Sequence, residues 1–159
     1  MKRLILMRHA ESDWSGSSGT DHSRVLNARG RLGAERLGQW LKEHDYLPDR
    51  VLCSDASRTR ETLLLLELQT NSVEHLRTLY LAGPPEMLDL LREAEGEAVL
   101  MVAHNPGCAT CAQWLPVASE VREYPPGATS VIDFDVEDWG KIDWETGRLR
   151  DYVSPRDLN

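Results

Sequence analysis

Four unbroken apolar residues, Leu4-Ile5-Leu6-Met7, end abruptly at Arg8-His9. An apolar run without alternation reads as a strand buried on both faces, central and parallel in its sheet. Ala98–Ala103 is the strongest such run, and it stops at His104-Asn105-Pro106-Gly107. Arg50-Val51-Leu52-Cys53 is a third strand, ending in Ser54-Asp55, and Val73–Leu76 is a weakly marked fourth.

Helical patterns fill the intervals. Asn27 is a good N-cap for a helix over residues 28–44, with Leu32, Leu37, Trp40 and Leu41 along one side. Ser54 or Asp55 can cap a helix over residues 56–68, whose four consecutive leucines at 63–66 predict thorough burial. Gly83-Pro84-Pro85 opens a helix to about residue 94, and a short helix runs to about Leu115. Residues 129–136 and 148–153 alternate as strands do, which predicts an antiparallel addition at the sheet edge. Strands alternating with helices imply βαβ units, hence an α/β fold with a mainly parallel, helix-flanked sheet. The Ser-, Gly- and Asp-rich stretch 14–25 reads as a functional loop, and with no linker or repeat residues 1–159 read as a single domain.

The chain has 159 residues, 41% hydrophobic and 28% charged, with a formal net charge of −8. The acidity argues against nucleic-acid and anionic-membrane partners but leaves room for a locally basic pocket. No stretch reaches the ~20 apolar residues of a spanning helix, and the run after Met1-Lys2-Arg3 is too short for a signal peptide. Three cysteines, Cys53, Cys108 and Cys111, fit reduced thiols, so a cytoplasmic location is expected.

Strand ends then become the centre of interest. In open α/β sheets, ligands bind at the carboxyl ends of the strands. The strand at Leu4–Met7 delivers Arg8 and His9 there, the one at Arg50–Cys53 leads through Ser54 to Arg58 in the first turn of a helix, and the one at Ala98–Ala103 delivers His104. Arginine matches phosphate with its planar fork, and histidine can be a nucleophile or proton carrier. Two arginines and two histidines around one point suit phosphoryl transfer, with cations neutralising the equatorial oxygens and no metal required.

The segments Leu6-Met7-Arg8-His9-Ala10-Glu11-Ser12, Ser54-Asp55-Ala56-Ser57-Arg58-Thr59-Arg60-Glu61-Thr62 and Val102-Ala103-His104-Asn105-Pro106-Gly107 resemble the histidine phosphatase superfamily. Within it the chain is most similar to the small SixA-type phosphohistidine phosphatases. The tract Asp21-His22-Ser23-Arg24-Val25-Leu26-Asn27-Ala28-Arg29-Gly30 and the ending Ser154-Pro155-Arg156-Asp157-Leu158 support this. The resemblance implies a three-layer phosphoglycerate mutase-like fold. It implies His9 as the phospho-accepting nucleophile, Arg8 and Arg58 as phosphoryl-binding catalytic residues, and His104 completing the pocket. No cofactor and no metal are implied. The expected substrate is phosphohistidine on a protein, as in a phosphorelay; small phosphate esters are the first alternative and a non-catalytic phosphate-binding module the second.

The chain departs from the family pattern at three points. Ala10 stands where Gly is usual, and Ser15 follows Trp14 where mutases carry Asn shortly after. Leu79 stands where larger members place an acidic proton donor, four residues before Gly83. Glu86 is a weak substitute, since a glutamate in a first helical turn normally serves the helix dipole. The absence favours P–N substrates or activated esters, whose leaving groups need less protonation. His22, in the long loop, has two readings, an approach to the pocket and the commoner solvent-facing one; Arg60 reads as a surface charge, Trp14 as a residue of the pocket mouth, and Cys108/Cys111 as packing residues rather than a redox or zinc pair.

Overall fold

The computed structural model describes residues 1–15, 19–120 and 123–158. The centre of the loop expected over 14–25, residues 16–18, lies outside the described residues. Ten principal elements follow in order: β1 (Lys2–Arg8), α1 (Ala28–Glu43), β2 (Arg50–Ser54), α2 (Ser57–Leu66), β3 (Val73–Leu76), α3 (Pro84–Arg92), β4 (Ala98–Ala103), α4 (Gly107–Trp114), β5 (Thr129–Phe134) and β6 (Gly147–Val153). The strands form one sheet in the order β3-β2-β4-β1-β5-β6. The four βα strands are mutually parallel, while β5 and β6 add antiparallel at the β1 side.

Alternation of side chains along the strands builds two cores. Leu4, Leu6, Val99 and Met101 face α3 and α4, whose Met87, Leu91, Cys108 and Ala112 cover them. Ile5, Met7, Leu100 and Val102 face the other way, against Leu37 and Leu41 of α1 and Leu66 of α2. The apolar runs are continuous because both faces of β1 and β4 are covered, giving three layers.

Asn27 caps α1 as expected, its side chain accepting from Gly30 N at 2.8 Å. Leu32, expected on the buried side of α1, is instead exposed; Gly33 and Ala34 lie on the buried face with Leu37, Trp40 and Leu41. The leucine run of α2 is not thoroughly buried. Leu66 is fully buried and Leu64 is 74% exposed, because four consecutive residues at 100° steps sweep the whole helix circumference. Neither Ser54 nor Asp55 caps α2, whose N-cap is Ala56 without a side-chain bond. Both side chains are turned to the functional site instead. Among the described residues, no helix is long and apolar enough to cross a membrane.

Candidate active site

Register brings the strand ends level. Arg8 pairs with Ala103 across β1 and β4, and Cys53 pairs with Val102 across β2 and β4. The residues that follow, His9, Ser54 and His104, therefore emerge together at the carboxyl edge. His9 is anchored by its amide donating to Ala103 O at 3.1 Å, and its carbonyl accepts from Gly127 N at 2.8 Å. Next along, the Ala10 amide donates to Thr62 Oγ1, which itself donates to Arg58 O at 2.7 Å. One hydroxyl thus ties the loop after β1 to α2.

The four residues singled out in the sequence, Arg8, His9, Arg58 and His104, meet here. His9 and His104 have ring centroids 5.4 Å apart. His9 Nδ1–H donates to Ala10 O at 2.7 Å, which puts the lone pair on Nε2. Arg58 Nε approaches that Nε2 at 3.4 Å. Burial, reinforced by His104, Arg8 and Arg58, pushes the His9 pKa down to about 3. Burial and Arg58 push His104 down to about 4. Both rings are neutral at physiological pH, so His9 Nε2 is an available nucleophile.

Arg58 is 2% exposed, and its three nitrogens are all engaged. Nη1 donates to Asp21 O at 2.7 Å and Nη2 to Asp21 Oδ2 at 3.0 Å, which leaves Nε facing His9. Asp21 also accepts from Tyr80 OH at 2.5 Å and Arg24 Nη2 at 3.1 Å. Those bonds, Tyr80's foremost, hold its carboxyl well below the usual carboxylate range. Tyr80 fills the wall between the loop and β4, with its ring centroid 5.5 Å from that of His104. Ser54 Oγ lies 2.8 Å from His104 Nε2 and accepts from the Ala56 amide. Arg8 reaches the other wall, donating from Nη1 to Tyr124 O at 3.1 Å.

Arg24 is a cation that sequence reasoning missed. Its guanidinium side chain is 12% exposed, donates to Ser12 Oγ and lies 3.5 Å from the centroid of the Trp14 ring. Its charge acts on both Arg8 and His104. Arg8 Nε, Arg24 Nε and His104 Nδ1 are buried without a hydrogen-bond partner among the described residues. Arg8 and Arg24 both act on the His104 ring, so the three share one neighbourhood. Three arginines and one carboxylate make that place cationic inside an acidic protein, which suits a phosphoryl group.

The remaining candidates divide between the pocket's margin and places away from it. Glu86 is exposed in the first turn of α3, and Leu79 is fully buried in the core against α3 and α4. Arg60 is exposed, and Trp14 is exposed at the mouth beside Arg24. The three cysteines are free and buried, and burial pushes the Cys111 thiol up to about 12. His22 is half-buried at the pocket's margin: its Nε2 bonds Asp55 Oδ1 at 2.6 Å and its ring packs edge-on against Tyr80. Among the described residues, no cluster of three or more His, Cys, Asp or Glu is arranged to hold a metal ion.

A family model described as the histidine phosphatase superfamily (branch 1) matches residues 4–80. An uncharacterized protein of Mycobacterium leprae is 32% identical over 94% of this chain and 100% of its own length. An uncharacterized chloroplastic protein of Arabidopsis thaliana is 44% identical over 44% of this chain, and the match spans only 32% of that protein's length. An acid phosphatase of Mycobacterium tuberculosis is 33% identical over 70% of this chain and 57% of its own length. Among solved structures, a candidate phosphohistidine phosphatase SixA from Nakamurella multipartitia superposes with a TM-score of 0.87 at 29% identity, covering 97% of this chain and 96% of that one. Its counterpart from Agrobacterium tumefaciens gives 0.83 at 25% identity, covering 97% and 98%.

Proposed function

This chain belongs to the histidine phosphatase superfamily, as a SixA-type phosphatase of phosphoglycerate mutase-like fold, and from that premise we propose that it hydrolyses phosphohistidine on a protein through a covalent phospho-His9 intermediate. The observation that carries the reading is the convergence of Arg58 and His104 on the His9 ring, with Arg8 and Arg24 acting on His104 from the same pocket. The phosphoryl group is assigned to the space in front of His9 Nε2, inside this cationic cluster. Arg58, held by Asp21 with its Nε toward His9, supplies a donor there.

The reaction takes two steps. His9 Nε2 attacks phosphorus and the bond to the leaving group breaks. Water then attacks phospho-His9, returning the electron pair to Nε2. The arginines and His104 stabilise the equatorial oxygens in both steps, so no metal ion is called for.

Two observations support a protein substrate. Leu79, where larger relatives carry a carboxylic acid, is sealed in the core, and an imidazole leaving group needs only a weaker donor than that, where an alkoxide needs a strong one. A groove of about 400 Å³ also opens beside Ala10, lined by Glu11, Arg29, Arg36, Pro125 and Pro155 among others. It is a landing place for chain flanking a phosphorylated side chain. The likeness to a mycobacterial acid phosphatase favours a second reading, small phosphate esters. Such a protein works in the cytoplasm, where phosphorelay histidines are phosphorylated.

Phosphate release should be measured in EDTA from a phosphohistidine-bearing protein and from p-nitrophenyl phosphate, with wild type and His9→Ala. Faster release from phosphohistidine, lost in the variant, is the expected result. Preference for the ester transfers the activity to the second reading. Tight phosphate binding with no release from either substrate leaves only a phosphate-binding module.

A further inference from the structure

We propose that His22, oriented by Asp55, is the proton donor to the leaving group and the proton acceptor for the attacking water. The inference deepens the phosphatase reading above and rests on it. It fills the role that Leu79 cannot perform from its buried position.

Both members of the pair are next to residues already in the pocket. His22 directly follows Asp21, whose carbonyl and carboxylate hold Arg58. Asp55 directly follows Ser54, whose hydroxyl contacts His104. Asp55 is kept in place by its amide donating to Leu76 O. The two side chains meet at 2.6 Å, each about a quarter exposed, so the pair borders solvent. His22 packs edge-on against Tyr80 at 4.8 Å between centroids, and Tyr80 packs edge-on against His104 at 5.5 Å. One tyrosine thus separates the pair from the phosphoryl-binding imidazole. The other charged groups around it are Asp21, Arg58 and, across the Tyr80 ring, Arg77.

A carboxylate on one ring nitrogen fixes an imidazole's orientation and leaves the other nitrogen to exchange protons. Here Asp55 takes Nε2–H and frees Nδ1 for that exchange. His9 and His104 are neutral in the empty pocket and carry no proton to spare. The form that enters the first step is the His22 imidazolium, with Nε2–H on Asp55 and a second proton on Nδ1. In the first step the His9 Nε2 lone pair forms the N–P bond. The bond from phosphorus to the leaving atom breaks, its electron pair stays on that atom, and the His22 Nδ1 proton joins it. In the second step Nδ1 takes a proton from water as the water oxygen bonds phosphorus, and the N–P pair returns to His9.

The test compares kcat/KM, which reports events up to leaving-group departure, for phenyl phosphate and dinitrophenyl phosphate in wild type, His22→Gln and Asp55→Asn. Phenolate needs a proton and dinitrophenolate does not. The expected result is a loss of about 10²-fold for phenyl phosphate in His22→Gln, no change for dinitrophenyl phosphate, and a smaller loss of the same selectivity in Asp55→Asn. Inhibition by inorganic phosphate should be unaltered, which establishes that the variants keep the pocket. Equal losses on both esters would reveal a positioning effect through Asp21 and Arg58, and would overturn the proposal, as would no loss on either. A wild type inactive on both esters and on phosphohistidine overturns the phosphatase reading itself, and this inference with it.

Discussion

Folding stability should fall steeply between pH 7 and pH 5 because His9 and His104 are buried neutral. Their folded pKa values are about 3 and about 4, against about 6.5 in an unfolded chain. Between those limits the unfolded state binds more protons than the folded one, so stability is full above pH 6.5 and drains as pH falls. Each histidine loses about 1.4 kcal/mol per pH unit in that window. Across two units, with the upper half-unit nearly flat, the pair costs about 3–4 kcal/mol. Both residues are at most 5% exposed, so screening by solvent takes little from this figure. Urea unfolding of wild type and of a His9→Asn, His104→Asn double variant at a series of pH values isolates the effect, since the other titrating groups are common to both. The difference between the two stability curves should shrink by about 3–4 kcal/mol from pH 7 to pH 5. Parallel curves would mean that the imidazoles are already solvated in the folded state, and the neutral nucleophile would have to be abandoned.

Three further outcomes follow from individual contacts. Ser54→Ala removes the hydroxyl 2.8 Å from His104 Nε2 and strands the buried Ala56 amide; kcat/KM should fall roughly tenfold and urea unfolding should register a loss of about 1–3 kcal/mol. Arg58→Lys cannot face His9 and grip Asp21 at two points at once, so kcat/KM should drop by about 10²-fold or more while the fold survives. Thr62→Val strands the buried Ala10 amide and should cost about 1–3 kcal/mol in urea unfolding; an unchanged midpoint would show that the hydroxyl is dispensable.

The central sheet was legible because its physics is local. Apolar runs that lack alternation require cover on both faces, and β1 and β4 have it. The same runs end in residues too polar to continue them, so Arg8, His9 and His104 stood out at the edge where ligands bind. Arg58 was legible through its place in the first turn of a helix that follows a strand.

The side chains that tune the pocket were not legible, since they arrive from loops with no period and find partners far along the chain. Asp21 meets Tyr80 across 59 residues, and His22 meets Asp55 across 33. Ser54 and Asp55 looked like caps for α2 because local reasoning ranks an unpaired amide above a distant imidazole; the fold spends both on histidines. The burial forecast for the α2 leucines failed for a related reason. Hydrophobicity gives the amount of apolar surface on a helix, while the docking direction decides which part is covered, and Leu64 falls outside it.

The covalent intermediate is the claim on which the mechanism stands. Wild type mixed with substrate, quenched at alkaline pH where phosphohistidine persists, and analysed by intact-protein and peptide mass spectrometry tests it directly. A single added phosphoryl group located on His9, formed and lost fast enough to account for turnover and absent from His9→Ala, is the expected result. Turnover without any phosphoryl-enzyme, or with the group on another residue, would contradict it.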